Sequence, residues 1–521
     1  MNIDLSVLIT LLQQPETYDH AVDKIQLRET HISLVIMTGQ YVYKIKKSVD
    51  YGFLDFSTLE KRKIYCEEEV RLNSRLAPNM YLGVVPICGD LNSAKINGKG
   101  TIIEYAVKMR QFDTRHEFDK LLASHQLDQR LIDETAVVLA NFHSNIAVAS
   151  KDAPYSTPEA IYHSVRENFE QIALLGKQWL ESHHTTTVLQ SLRQWADAQH
   201  KTLETVFTAR KTDGFIRECH GDLHLRNITL FEGKVTPFDG IEFNKNLSWI
   251  DVISDIAFIL MDLDSHDRYD YSRQLLNRYL SLTGDYSGLE VLNYYKVYRA
   301  IVRAKVVGLR LLQLERNNND LSIEIEKYLR LAMDYIQPKK AKLIITNGSS
   351  GSGKTFISQL LLEKSDIIRI RSDVERKRII KLNKMHRNDN KYNSGIYGEE
   401  ASSMTYNHLL HLAGIILNAG YSVIVDAAFL KKEQRQLFCK YAHTNDIPFL
   451  IMHCLSQIDL QRERLNKRAL DARDASDADT EILMHQLKSQ ETLTTEERKF
   501  SITINNNNKP DLKQIIDWLK K

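Results

Sequence analysis

Cysteine is scarce in this 521-residue chain. Five residues, Cys66, Cys88, Cys219, Cys439 and Cys454, lie far apart and form no C-x-x-C pair. That spacing argues against a disulfide framework or a zinc site and suits a reducing, cytoplasmic setting. A surplus of either charge is also missing: 69 lysines and arginines face 67 acidic residues, a formal charge of +2. Composition therefore gives no reason to expect a large polyanion as an obligate partner. Long apolar runs are absent as well. The stretch from Trp249 to Leu263 is broken by Asp251, Asp255 and Asp262 and cannot supply the roughly 20 apolar residues of a membrane-spanning helix. Met1 to Leu12 has neither a basic start nor a small-residue cleavage site, and reads as an amphipathic helix rather than an export signal.

What is present calls for several lobes, since a domain takes roughly 100 to 200 residues. His31 to Met37 and Tyr41 to Ile45 are apolar runs around Thr38-Gly39-Gln40, a hairpin signal. A helix is expected from Leu59 to Leu76, ended by Ala77-Pro78, with further strands at 81–87 and 101–109. Helical periodicity dominates 114–200 and 250–336, on either side of a loop-and-strand block at 217–243. Gln337-Pro338-Lys339-Lys340 reads as a linker. Beyond it, strands at 343–347, 367–370, 422–425 and 449–453 alternate with helices, the pattern of a parallel sheet. The expected domains are 1–336, with a small lobe over about 1–110 and a helical lobe over about 111–336, and 341–521.

Two groups of residues carry chemistry. In the first, His220-Gly221-Asp222 is followed by Asn227 and then by Asp239-Gly240. Phosphoryl transfer to a hydroxyl needs a carboxylate to orient the nucleophile and take its proton, together with a carboxamide and a second carboxylate to hold magnesium. Asp222 is the candidate base, and Asn227 and Asp239 are the candidate metal ligands. Lys44 on a strand with Glu69 on the helix supplies the nucleotide-phosphate pair, although Lys46, Glu67 and Glu68 adjoin. Asp251 and Asp255 are expected to tie helix ends to the loop, and His143 and His224 to pack.

The second group is Gly348-Ser349-Ser350-Gly351-Ser352-Gly353-Lys354-Thr355, set between a strand and a helix. Its glycines let backbone N–H groups wrap phosphates, Lys354 reaches the outer phosphates and Thr355 ligates magnesium. Asp426, at a strand end, is a second candidate metal-side acid. Asp373 is the candidate base for an acceptor hydroxyl, and Arg376 the clamp for an anionic acceptor. Arg464 and Arg468 share one helix face and suit a lid closing on ATP.

The first constellation resembles the aminoglycoside phosphotransferase and choline kinase group, over roughly residues 20–330, within the protein-kinase-like fold. It departs from protein kinases in having His220-Gly221-Asp222 where they carry His-Arg-Asp, and Gly39 in place of a G-x-G-x-x-G loop. The second, with Ser372-Asp373 and Arg376, resembles small P-loop kinases such as gluconate kinase, polynucleotide kinase and zeta toxin. Over nearly its full length, on Thr30 to Ser33, Tyr51 to Glu60 and Asp474 to Ala478, the chain resembles bacterial bifunctional aminoglycoside phosphotransferase/ATP-binding proteins. These resemblances imply an α+β kinase-like bilobal domain followed by an α/β P-loop domain, with ATP and Mg2+ as cofactors and small hydroxylated molecules as acceptors. A first half that senses ligand without turnover is the alternative. A polynucleotide 5′-hydroxyl kinase is a third reading, though no basic stripe with interleaved aromatics favours nucleic acid. A motor ATPase is disfavoured because Ala427-Ala428-Phe429 follows Asp426 without a glutamate.

Overall fold

Alternating polar and apolar residues in the first hundred positions build a sheet whose two faces do different work. The structure is a computed structural model describing residues 4–521 except 23, 52–53, 91, 176–182, 314–318, 387–398 and 471–479. It divides into two units, Met1–His266 with Tyr294–Met333, and Asp267–Asn293 with Asp334–Lys521.

The first unit opens with β1 (Gln26–Glu29), β2 (Ser33–Met37), β3 (Tyr41–Lys46), β4 (Tyr81–Gly89), β5 (Ala94–Ile96) and β6 (Ile102–Arg110), in the order β1-β2-β3-β6-β4-β5. Every pairing is antiparallel. β2 and β3 form the expected hairpin. Tyr43 and Ile45 pack with Leu8, Leu12, Leu34 and Ile36, so strand alternation turns Lys44 and Lys46 to the opposite face. Helix Leu59–Asn73, capped by Thr58, which accepts the Lys61 N–H, buries Arg62, Cys66, Glu69, Leu72 and Asn73. Its inner stripe is mostly polar, and each polar member has a partner: Arg62 pairs with Glu104, Glu69 with Lys44 and Lys46, and Asn73 with the Gly240 N–H.

Next come β7 (Ile216–Glu218), β8 (Ile228–Phe231), β9 (Lys234–Pro237) and β10 (Trp249–Asp251), paired antiparallel as β7 with β10 and β8 with β9. Helix Val252–Ser265 is buried at every position, and its N-cap Asp251 accepts the Ile253 N–H and pairs with Arg210 at 2.6 Å. The three aspartates that interrupt this apolar run are thus satisfied inside the lobe.

The second unit holds a parallel sheet ordered β12-β13-β11-β14-β15, from β11 (Leu343–Asn347), β12 (Ile367–Arg371), β13 (Ser422–Asp426), β14 (Phe449–Leu455) and β15 (Ser501–Asn505). β11 is buried throughout, as expected for a strand covered on both faces. β15 adds a fifth strand to the four read from the sequence. Residues 267–293, placed in the first domain by the sequence reading, belong to this second unit. The cause is local. β12 is an edge strand, and Asn277 on helix Tyr269–Thr283 satisfies its free backbone, donating to the Ile367 carbonyl at 3.1 Å and accepting the Arg369 N–H at 2.8 Å. Arg273 adds a 2.7 Å pair with Asp366. The architecture is an α+β region built on an antiparallel sheet followed by an α/β region built on a parallel sheet. Among the described residues, no helix is long and apolar enough to cross a membrane.

Candidate active sites

In the first unit, a strand, a helix and the loop after β9 bring five charges together. Lys44 Nζ lies 2.8 Å from Glu69 Oε1 and 2.5 Å from Asp239 Oδ1. Glu69 Oε2 lies 2.7 Å from the fully buried Lys46 Nζ, which also pairs with Glu242. Burial alone would push the Glu69 carboxyl up, but Lys44 and Lys46 outweigh it and hold it at about 2. Burial likewise opposes the Lys44 ammonium, yet Asp239 and Glu69 raise it well above its ordinary value. Asp239 adopts the left-handed conformation, φ +61°, a strain of roughly 1–3 kcal/mol for a non-glycine residue. Its N–H donates to Tyr81 Oη at 3.2 Å, and the next N–H, of Gly240, donates to Asn73 Oδ1 at 2.7 Å.

The loop carrying Asp222 hangs from the buried helix beneath it. Asp255 accepts the N–H groups of His220 and Gly221 at 3.1 and 2.9 Å and also pairs with His143 at 3.2 Å, while Asp262 accepts the Leu225 N–H at 2.9 Å. Gly221 has φ +85°, and a Cβ there would come 2.5 Å from the Leu247 carbonyl oxygen, so this loop requires glycine. Asn227 Nδ2 donates to Asp222 Oδ2 and to the Asp222 carbonyl, each at 3.0 Å, and reaches the Asp239 carbonyl at 3.5 Å. His224 packs edge-on to Phe258 and turns Nε2 to within 3.4 Å of Asp222 Oδ2. Burial works against ionised Asp222, but His224, then His220 and Arg303, prevail and hold it well below the usual carboxylate range. Glu69, Lys44, Asp239, Asn227 and Asp222 therefore form one connected cluster. Its oxygen donors are those a hard divalent cation takes.

In the second unit, Gly353 (φ +91°) opens helix Lys354–Lys364, and a Cβ there would fall 1.7 Å from Asn506 Nδ2. Lys354 Nζ donates to the carbonyls of Gly348 and Ser349, each at 2.8 Å, and Ser352 Oγ is buried with no partner. A helix N-terminus with an orphaned hydroxyl and a lysine folded over the loop fits a phosphate group. Thr355 and Asp426 are joined through their neighbours. Ser358 Oγ donates to Asp426 Oδ2 at 3.3 Å, and Arg369 donates to the Thr355 carbonyl at 3.2 Å and to Ser358 Oγ at 3.1 Å.

Arg371, the last residue of β12, is in register with Asp426, so Asp373 and Arg376 in the following helix turn lie at the carboxyl edge shared with the phosphate loop. Between them Glu375 is buried and bonded to Arg378, to His408 at 3.3 Å and to Tyr286 at 3.3 Å. Arg464 donates to the Gly351 carbonyl at 3.2 Å and the Asn506 carbonyl at 2.7 Å, bracing the loop. The Arg468 side chain and Asp474 to Ala478 lie outside the described residues. Sequence reasoning missed Glu242, Ser358, Arg369, Gln461, Gln486 and Asn506. Gln461 accepts from Ser349 Oγ and Gln486 from the Ser350 N–H, and Asn506 donates to the Ser352 carbonyl. Only Glu242, three positions after Asp239, carried a spacing signal. Asn506 was hidden in a four-asparagine run that read as a plain loop.

A family model described as an AAA domain matches residues 343–493. Uncharacterized proteins of Mycobacterium tuberculosis and Mycobacterium bovis are 27% identical over 452 residues, 87% of this chain and 88% of each relative. An amicoumacin kinase structure in complex with AMP-PNP and Ca2+ aligns over 64% of this chain and 94% of its own, at 12% identity and TM-score 0.41. A GDP complex of an aminoglycoside 2′-phosphotransferase-IIIa mutant aligns over 64% and 97%, at 15% identity and TM-score 0.38. The Mycobacterium tuberculosis APS kinase in complex with AMPPNP and APS aligns over 35% and 100%, at 22% identity and TM-score 0.26. The chain is similar in its first part to aminoglycoside phosphotransferase and choline kinase structures, and in its second to an APS kinase structure and the AAA domain model.

Proposed function

We propose that this chain is an ATP-dependent phosphotransferase with two nucleotide sites, each moving a γ-phosphoryl group to a hydroxyl of a small molecule. The observation that carries this reading is the convergence of Lys44, Glu69, Asp239, Asn227 and Asp222 in one cluster. Lys44, its charge secured by Glu69, binds the nucleotide phosphates. Asn227 and Asp239 would hold a divalent cation, Mg2+ being the natural candidate, and that ion supplies charge neutralisation across the β- and γ-phosphates.

Asp222 orients the acceptor hydroxyl. The acceptor's hydroxyl oxygen bonds the γ-phosphorus while the bond from phosphorus to the β–γ bridging oxygen breaks, ADP leaves with that electron pair, and the hydroxyl proton passes to Asp222. A carboxylate held so acidic is a weak base. It suits a loose transfer in which the proton moves late and positioning does most of the work.

At the second site the 348–355 loop cradles phosphate, Lys354 reaches the outer phosphates, and Thr355 and Asp426 would hold the cation. Asp373 takes the proton of a second acceptor, and Arg376 binds an anionic group on it. Arg464 supports this site through the loop backbone, and Arg468 belongs to the same helix. Turnover of γ-labelled ATP by Lys354→Ala, Asp222→Ala and Asp239→Ala proteins tests the reading. Loss in Lys354→Ala alone, with both aspartate variants silent, would favour a sensing first half.

A further inference from the structure

We infer that the buried Lys46–Glu242 pair is a positioning device for the first site, fixing the loop that carries Asp239 to the strand that carries Lys44. The inference rests on the phosphotransferase reading of that site and extends it to two residues buried behind it.

Three observations lead there. Lys46 and Glu242 have side chains 0% and 5% exposed, and their charged ends are in direct contact. Glu69 spans both lysines, 2.8 Å from Lys44 and 2.7 Å from Lys46, so the helix carboxylate joins the two strand lysines that pair with the loop. Asp239, three residues before Glu242, is bent into the left-handed region at φ +61° while its side chain is 44% exposed. A strained, half-open residue keeps its geometry only if the chain on both sides is anchored. On its amino side the Phe238 N–H donates to the Asn227 carbonyl at 2.9 Å. On its carboxyl side the Gly240 N–H donates to Asn73 and the Ile241 N–H to the His220 carbonyl, and Glu242 is the first ionic anchor.

The two lysines therefore divide the work. Lys44, 16% exposed, faces the site. Lys46, capped by the Phe56 ring 4.9 Å from Nζ, is sealed behind it. An ion pair suits this duty because direction is written into it. An apolar pair of similar volume removes the desolvation cost of two charges but does not fix the loop, and it also takes Lys46 away from Glu69.

The test uses full-length Lys354→Ala protein, so that nucleotide binding reports the first site, with residual signal measured in Asp239→Ala in the same background. Glu242→Gln and the paired Lys46→Met/Glu242→Leu are compared by three readouts: thermal melting, amide hydrogen exchange of the peptide spanning 237–243 without metal or nucleotide, and the Mg2+ concentration that half-saturates binding of a fluorescent ATP analogue. Glu242→Gln is expected to speed that exchange at least tenfold and to raise the Mg2+ requirement about tenfold. The apolar pair, which also deprives Glu69 of Lys46, is expected to melt below the parent and to keep the raised Mg2+ requirement. An apolar pair with parental exchange and Mg2+ dependence, whatever its melting temperature, overturns the inference and leaves the phosphotransferase reading intact. Absence of Mg2+-dependent nucleotide binding in Lys354→Ala with Lys46 and Glu242 in place overturns both.

Discussion

At Glu69 one carboxylate serves two ammonium groups, Lys46 buried and Lys44 facing the site, and this sets how the small lobe responds to acid. Folding lowers its pKa from 4.5 to about 2. The stabilisation is therefore full above about 4.5 and is lost as pH falls towards 2. Glu69→Gln leaves two lysines short of their partner, and breaking a buried pair costs about 3–5 kcal/mol. Denaturant unfolding near pH 7 should report that loss, and the gap between the two proteins should narrow as pH falls below about 4. A gap that stays constant with pH would mean the pair contributes nothing through its charge. Gly353 poses a steric case. Alanine there adds a Cβ 1.7 Å from Asn506 Nδ2 at φ +91°, so Gly353→Ala should weaken ATP-analogue binding by more than tenfold in a titration. Asn506→Ala in the same protein should recover part of that loss, since the clash has a named partner.

Single elements explain what the sequence did and did not disclose. The hairpin of β2 and β3 and the strand–loop–helix around 348–355 were legible because period-two alternation and glycine spacing are local properties. Helix Leu59–Asn73 was legible as a helix, and Glu69 on it as the partner of Lys44, but the roles of Arg62 and Asn73 in its buried stripe were not, because Glu104 and Gly240, which satisfy them, lie 42 and 167 positions away. Helix Tyr269–Thr283 was legible as a helix, while its packing with the second unit was not, for the same reason. Nothing in a sequence tells that Asn277 will complete the edge of a strand some ninety positions later. Asn277→Leu should leave the Ile367 carbonyl and the Arg369 N–H unpaired, at a cost of roughly 1–3 kcal/mol for each group. Hydrogen exchange at β12 should rise while exchange at β14 and β15 stays unchanged. Equal rises along all five strands would argue that the helix only adds bulk.

For the whole molecule, the bipartite second unit makes a prediction about fragments. A piece running from 341 to 521 lacks helix Tyr269–Thr283 and Tyr286, and so leaves the β12 edge bare and Glu375 without one of its three partners. It should aggregate, or unfold at a lower denaturant concentration than the P-loop region does in the intact chain. A fragment as stable as the parent would make residues 267–293 dispensable to the second unit. The two candidate sites also use different means: a side-chain cluster assembled from distant strands and loops in one, a contiguous glycine loop in the other. That difference is why the second site could be read from eight consecutive residues, whereas the first needed five residues spread from 44 to 239.

The most direct test of the central claim is transfer of label from γ-labelled ATP to a panel of hydroxylated metabolites, measured for the intact protein, Lys354→Ala, Asp222→Ala and the double variant. Two independent phosphotransferase sites predict that each single variant keeps labelling a different set of acceptors and that the double variant labels none. Loss of all labelling in Lys354→Ala, with Asp222→Ala indistinguishable from the intact protein, would contradict the account.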